Sequence, residues 1–312
     1  MKSNSLKQYE KIWVAGHNGM VGSSIVRHLE KNKIKILKAS RLELDLRRQY
    51  EVEEWFKQNK PDLVFLAAAK VGGIVANNEK PAEFILDNIL IQTNILNCSY
   101  KYNVKKLIFL GSSCVYPVNQ NLIKESDLMK GKLEETNRAY AVAKISGIEM
   151  CRSFYIQHKC NFISILPCNL FGPGDNFVND DSHVIPALIR KIHRAKIQNE
   201  SKCVLWGSGK PLREFLYVDD LADSLVFLAE NYNQVEPINV GSGQEYSIRN
   251  IAEKLSYIIG YKGDICFDTK FPDGVMRKIL NVEKISKLGW KPKYKIDESL
   301  KKTIDWYLKN IK

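Results

Sequence analysis

The chain has 312 residues, 45% apolar and 26% charged, with 47 Lys and Arg against 35 Asp and Glu for a net charge of +12. That length suits one large domain or two coupled ones, and no apolar run approaches the roughly eighteen residues of a membrane span, which argues against a membrane protein. The lysines are scattered through amphipathic segments rather than gathered in one block, which argues against a nucleic-acid partner. The polar opening MKSNSLKQYEKIW lacks the apolar centre and small-residue cleavage site of a secretory signal, so a cytoplasmic protein is expected. Cys98, Cys114, Cys151, Cys160, Cys168, Cys203 and Cys266 form no CxxC pair and no short metal-ligand spacing. No metal is expected, and most of these thiols read as small core residues.

The first half alternates strand and helix patterns, which predicts an α/β fold with a doubly wound parallel sheet. Lys11 to Ala15 is an apolar strand ending in glycines, followed by a helix from Gly22 to Lys31, and Ile34 to Lys38 is a second strand. Val52, Trp55 and Phe56 share one helix face, and Asp62 to Ala69 reads as a fully buried strand. A helix from about Pro81 through Ser99 carries Phe84, Ile85, Ile89 and Leu96 at helical spacing. The strand Lys106 to Leu110 then delivers GSSCVYP (111–117) to the carboxyl edge of the sheet.

After Tyr140 comes another helix, and then the strand Phe162 to Leu166. From Phe171 the turn-rich segments GPGDNF, WGSGKPLREF, GSGQEYS and FPDG predict a smaller carboxyl-terminal α/β cap that binds substrate. Val218 to Gly241 again reads helix then strand, so the chain is expected to return to the main sheet. The expected division is 1–170 with 218–241 for a Rossmann domain, and 171–217 with 242–312 for the cap.

Gly16, Gly19 and Gly22 have the spacing GxxGxxG between a strand and a helix, where the backbone can approach a pyrophosphate at the helix amino end. Asn18, Met20 and Val21 complete this loop. An acidic residue ending the second strand would accept from a ribose 2′-hydroxyl. This chain has Lys38, Ala39, Ser40 and Arg41, which favours NADPH over NADH, with Glu43 close by as the opposing feature. Asp45 and Leu46 are expected beside the adenine. YAVAK sets the Tyr140 phenol and the Lys144 ammonium one helical turn apart. A free tyrosine titrates near about 10, so a cation is what would make it a usable proton donor and acceptor near neutrality.

GxxGxxG, a serine after the central strand and YxxxK together resemble the extended short-chain dehydrogenase/reductase family. Within it, AGHNGMVG, AAAKVGGIVANN, GSSCVYP, NDDSHVIPAL, WGSGKPLREF and FPDGVMRK are similar to the GDP-L-fucose synthases, from about residue 11 to the end. The resemblance implies an NADP(H)-binding Rossmann domain, a GDP-linked 4-keto-6-deoxy sugar held by the cap, and a homodimer. Ser112 and Tyr140 would bind the carbonyl oxygen, with Tyr140 passing the proton and Lys144 holding the nicotinamide ribose. Ala68, Ala69, Pro167, Asn169, Leu170 and His183 would lie along the cofactor. Ser113, Cys114, Asn169, Arg190, Trp206, Arg213, Asp273 and Lys278 would surround the nucleotide sugar.

Hydrogens on carbons flanking a ketone are acidic because the carbanion is an enolate, and inversion takes a base on one face and an acid on the other. By resemblance Cys114 is the base and His183 the acid. Inversion precedes reduction, because reduction removes the carbonyl that acidifies those hydrogens. Two narrower readings stay open from the residues: a C4-reductase of another GDP-keto-sugar such as a 6-deoxy-heptose, and a non-catalytic NADP-binding regulator.

Overall fold

Ile12–Ala15, Leu63–Leu66 and Lys106–Leu110 are short strands buried on both faces, as a parallel sheet covered by helices requires. The computed structural model describes residues 6–31, 34–118, 122–178, 182–271 and 273–311. The strands are β1 (Ile12–Ala15), β2 (Ile36–Leu37), β3 (Leu63–Leu66), β4 (Lys106–Leu110), β5 (Leu122–Ile123), β6 (Phe162–Pro167), β7 (Asn169–Phe171), β8 (Lys202–Trp206), β9 (Leu212–Tyr217), β10 (Ile238–Val240), β11 (Glu245–Ser247), β12 (Asp264–Asp268) and β13 (Arg277–Leu280). The helices are α1 (Met20–Lys31), α2 (Gln49–Asn59), α3 (Ile74–Glu79), α4 (Pro81–Lys101), α5 (Arg138–His158), α6 (Val184–Ile197), α7 (Val218–Asn231), α8 (Ile248–Ile259), α9 (Glu283–Lys287) and α10 (Ile296–Asn310).

Six strands form one parallel sheet in the order β10-β6-β4-β3-β1-β2. The chain passes from β1 outward to β2 and then crosses to β3 on the other side of β1. The carboxyl ends of β1 and β3 therefore flank the topological switch point, where such sheets leave a crevice. β10 returns to this sheet beside β6, in register Ile238 with Ile165. A second sheet runs β11-β9-β13-β5 with β7 also on β9, and β12 pairs with β8.

Two apolar clusters underlie these layers. The first is built on the six-stranded sheet, and there Trp13 stacks on Trp55 with ring centroids 4.1 Å apart. The second lies among α6, α8, α10 and strands β8 and β9. Leu280, Ile285 and Trp290, near the end of the chain, pack into the first cluster rather than the second.

Three local features differ from the sequence expectation. α3 forms within VGGIVANN, which carries no apolar periodicity to announce it. β2 has two residues, so it is a minimal edge strand. On α4, Phe84 and Leu96 are buried as expected, but Ile85 and Ile89 are only half-buried and Asn88 and Gln92 take the inner positions. Their amides explain this: Asn88 donates to the carbonyls of Lys70 and Phe84 and accepts from the Lys70 N–H, while Gln92 donates to the Ala143 carbonyl at 2.6 Å and to Ser146. Buried polar groups are tolerated when they are paired in this way.

Candidate active site

The chain leaves β1 at Gly16 with φ +85°, a conformation that suits glycine. A Cβ there would lie 2.7 Å from the backbone of Ala68, and one at Gly22 would strike the Gly16 carbonyl oxygen. The Gly19 N–H donates to Gly16 O at 3.0 Å, closing the turn that opens α1. Bare backbone at a helix amino end beside the switch point is what a pyrophosphate needs, so this cradle fits a dinucleotide. Asn18 and Gly19 are exposed, Met20 and Val21 half-buried, and Ala68 and Ala69 follow β3 on the facing side.

At the end of β2 the cationic surroundings are thinner than the sequence suggests. Lys38 is ion-paired with Glu30 at 2.7 Å. Glu43 accepts from the Ser40 N–H at 2.7 Å, a bond that draws its carboxyl below the usual range. Arg41 is exposed and stays available beside Ser40. Asp45 is bound by the Arg47 guanidinium and pulled to about 2, mainly by that hydrogen bond, and Leu46 O accepts from Asn94.

Beyond β4, Gly111 N–H still bonds Ile165 O, and Ser112 then caps a short turn at 113–115 by accepting from the Cys114 N–H at 3.2 Å. α5 packs against this turn, which brings the Tyr140 phenol close enough to the Ser112 hydroxyl and the Cys114 sulfur to be influenced by both. Serine, tyrosine and cysteine are thus brought together. Lys144 is 3% exposed, donates to Leu110 O at 2.8 Å and lies 5.9 Å from the Tyr140 ring centre. Burial lowers its ammonium to about 8. Burial also pushes the Tyr140 phenol well up, with Cys114 adding to this and Ser112 opposing it. The expected lowering by Lys144 does not figure among the influences on the phenol, and desolvation holds it protonated. Ser113, the first residue of that turn, is buried.

His183 stands just before α6, with its side chain 43% exposed and Nδ1 3.4 Å from Asp175 Oδ1. That bond raises the imidazole above its ordinary value while burial opposes it. Among the described residues its contact is with Asp175, and no direct bond joins it to the Ser112–Tyr140–Cys114 group. Neighbouring residues 179–181 lie outside the described ones. Pro167 ends β6, and Asn169 and Leu170 lie on β7, where Asn169 donates to Glu214 O at 2.9 Å.

The other expected residues lie in the second layer. Trp206 stacks on Phe271 at 4.5 Å, with Lys191 over its face. Asp273 accepts from Ser208 N–H and hydroxyl at 2.9 and 2.6 Å, tying the loop after Trp206 to the FPDG turn, and Arg213 lies against the same turn. Arg190 donates to Val178 O at 2.8 Å. Lys278 is the register partner of Arg213 on the adjoining strand, and its Nζ reaches Cys114 Sγ at 3.6 Å.

Sequence reasoning missed Asn88, Gln92, Asp175 and Glu214. Asn88 and Gln92 sit at i and i+4 on an otherwise apolar helix face, a readable sign of a buried polar pair. Gln92 braces α5 one residue before Lys144, and Gly147 lets α5 close onto Phe109 and Gln92. Glu214, fully buried, accepts from Gly243 N–H and Leu280 N–H at 2.7 and 2.8 Å. Nothing in its sequence neighbourhood announces that role.

Residues 12–241 match the profile described as the NAD dependent epimerase/dehydratase family. GDP-L-fucose synthase 1 of Arabidopsis thaliana is 51% identical over 303 residues, 96% of this chain and 94% of that protein. The crystal structure of a GDP-L-fucose synthetase from Naegleria fowleri bound to NADP superposes with a TM-score of 0.91 at 33% identity, covering 99% of this chain and 96% of that one. A GDP-6-OMe-4-keto-L-xylo-heptose reductase from C. jejuni gives a TM-score of 0.91 at 35% identity, covering 99% of both chains.

Proposed function

Because the chain belongs to the NAD dependent epimerase/dehydratase family, we propose that it inverts the two carbons flanking the ketone of a GDP-4-keto-6-deoxy-hexose and then reduces that ketone with NADPH. The observation that carries this reading is the meeting of Ser112, Tyr140 and Cys114 at the carboxyl edge of the sheet, next to a dinucleotide cradle. A pure reductase has no need of the thiol.

Gly16 to Gly22, Ser40, Arg41, Asp45, Leu46, Ala68, Ala69, Lys144, Pro167, Asn169 and Leu170 are the residues we assign to the cofactor. NADPH, when bound, supplies the hydride for the fourth sugar carbon. For inversion, the Cys114 thiolate takes the proton from a carbon beside the carbonyl: the C–H bond breaks, S–H forms, and the electron pair moves onto the carbonyl oxygen. Ser112 and Tyr140 donate to that oxygen and stabilise the enolate. His183, whose charged form Asp175 favours, returns a proton to the opposite face. Cys114 then loses its proton to solvent and His183 regains one, so the second carbon is inverted in the same way, and Tyr140, held protonated by burial, finally gives its proton to the same oxygen as the ketone becomes an alcohol.

Arg190, Trp206, Arg213 and Asp273 are assigned to the GDP end. The division into a cofactor domain (1–170, 218–241) and a sugar domain (171–217, 242–312) is supported by the two apolar clusters, with Leu280, Ile285 and Trp290 crossing between them. A homodimer through α4 and α5 is supported by the exposed Leu86, Tyr100, Val142 and Ile156 on those helices, and a monomeric sedimentation profile would remove it. Seven free thiols support a reducing, cytoplasmic compartment. Among the described residues no helix is long and apolar enough to cross a membrane.

The test is incubation with GDP-4-keto-6-deoxy-mannose in deuterated water, with and without NADPH. Deuterium at the third and fifth carbons, followed by an inverted alcohol once NADPH is added, is the expected result. Reduction of a keto-heptose without label would instead favour the activity printed for the C. jejuni relative.

A further inference from the structure

We infer that Lys278 is the cation that holds Cys114 as the thiolate for inversion, so that a strand of the second sheet completes the epimerisation site. This rests on the reading of Cys114 given above.

An ordinary thiol is only a few per cent ionised at neutrality, and reactive cysteines owe their thiolate to a nearby cation, metal or helix end. Cys114 sits in a three-residue turn, too short to offer a helix end. Around its sulfur, α5 contributes Tyr140, and β13 contributes Lys278 at 3.6 Å. A phenol cannot supply positive charge. Lys278 can.

The surroundings of Lys278 favour this use. It is half-buried, so its charge is less screened than on an open surface. Among the described residues its hydrogen-bond partner is the Cys114 sulfur, and no carboxylate is ion-paired to it. The other titratable or charged groups facing it are the buried Cys168 thiol, which its charge lowers against a larger upward push from burial, and Arg213 across the strand pair. The strand is anchored from beneath, because the Leu280 N–H donates to the buried Glu214 carboxylate.

The step balances without a further reactant. The thiolate accepts the proton from carbon and becomes a neutral thiol, while Lys278 keeps its own proton and changes only its N–H···S contact. The thiol returns its proton to solvent before the next cycle. Lys278 is therefore a positioning residue, acting through Cys114 rather than on the sugar.

The experiment uses the full-length protein with NADP present, as wild type, Lys278→Met, Lys278→Arg and Cys114→Ser. Iodoacetamide alkylation of the Cys114 peptide is followed by mass spectrometry against pH, and deuterium entry at the sugar carbons is followed in parallel. Lys278→Met is expected to slow Cys114 alkylation at neutral pH by about tenfold, move its pH profile to higher pH, and slow deuterium entry by a similar factor. Lys278→Arg should recover part of both. The same NADP-induced rise in melting temperature as wild type shows that the variants are folded. Unchanged alkylation with slowed deuterium entry overturns the inference and leaves Lys278 as a sugar or diphosphate ligand. No deuterium entry in wild type, with alkylation still dependent on Lys278, would count against the inversion reading instead.

Discussion

Tyr140 and His183 each have an environment that favours one protonation state. Burial keeps the phenol protonated, so its role is that of a donor at the end of reduction. Tyr140→Phe is expected to slow NADPH oxidation by the keto-sugar by about 10²–10⁴-fold, measured at 340 nm, with cofactor affinity retained. A loss under about threefold would remove the phenol from the mechanism. Asp175 does the opposite service for His183, favouring the charged ring through the 3.4 Å contact. Asp175→Asn should lower the His183 titration midpoint seen by NMR of the ring protons. It should also move the pH optimum of deuterium entry downward, since the imidazolium would then persist only in more acidic solution.

The element that matters most for the cofactor is the β1–α1 turn. Its geometry depends on missing side chains, because a Cβ on Gly22 has no room beside the Gly16 carbonyl. Gly22→Ala should therefore push the loop open. Its expected signature is a weakening of NADPH binding by at least about tenfold in a fluorescence titration, with a stability loss of only about 1–3 kcal/mol. A variant that bound NADPH as tightly as wild type would show that the cradle does not hold the pyrophosphate. α4 and α5 form a second unit: Gln92 fixes the carbonyl of Ala143 and so positions the turn that presents Tyr140 and Lys144.

Across the whole molecule, Glu214 links β9 to β13 and to the loop after β10, joining the two layers beneath the site. Burial raises its carboxyl from 4.5 to about 7. Because the folded value is the higher one, its contribution to stability is complete below about 4.5 and is lost as pH rises to about 7. Between those limits wild type should lose roughly 3 kcal/mol relative to Glu214→Gln in paired urea titrations. A difference that stays constant with pH would show that Glu214 titrates in the fold as it does in the unfolded chain, its backbone donors offsetting burial.

Much of this protein is legible in the chain alone. The strand–helix alternation, the glycine spacing and YAVAK are local patterns, because parallel strands need continuous apolar runs, phosphate turns need absent Cβ atoms, and one helical turn joins Tyr140 to Lys144. What the chain could not disclose is long-range. That Glu214 fastens segments 29 and 66 residues away, and that Lys278 meets Cys114 across 164 residues, follow from how distant strands are set side by side. Electrostatic partners are chosen by distance in space. Only the packed sheets bring that distance down to a few ångströms.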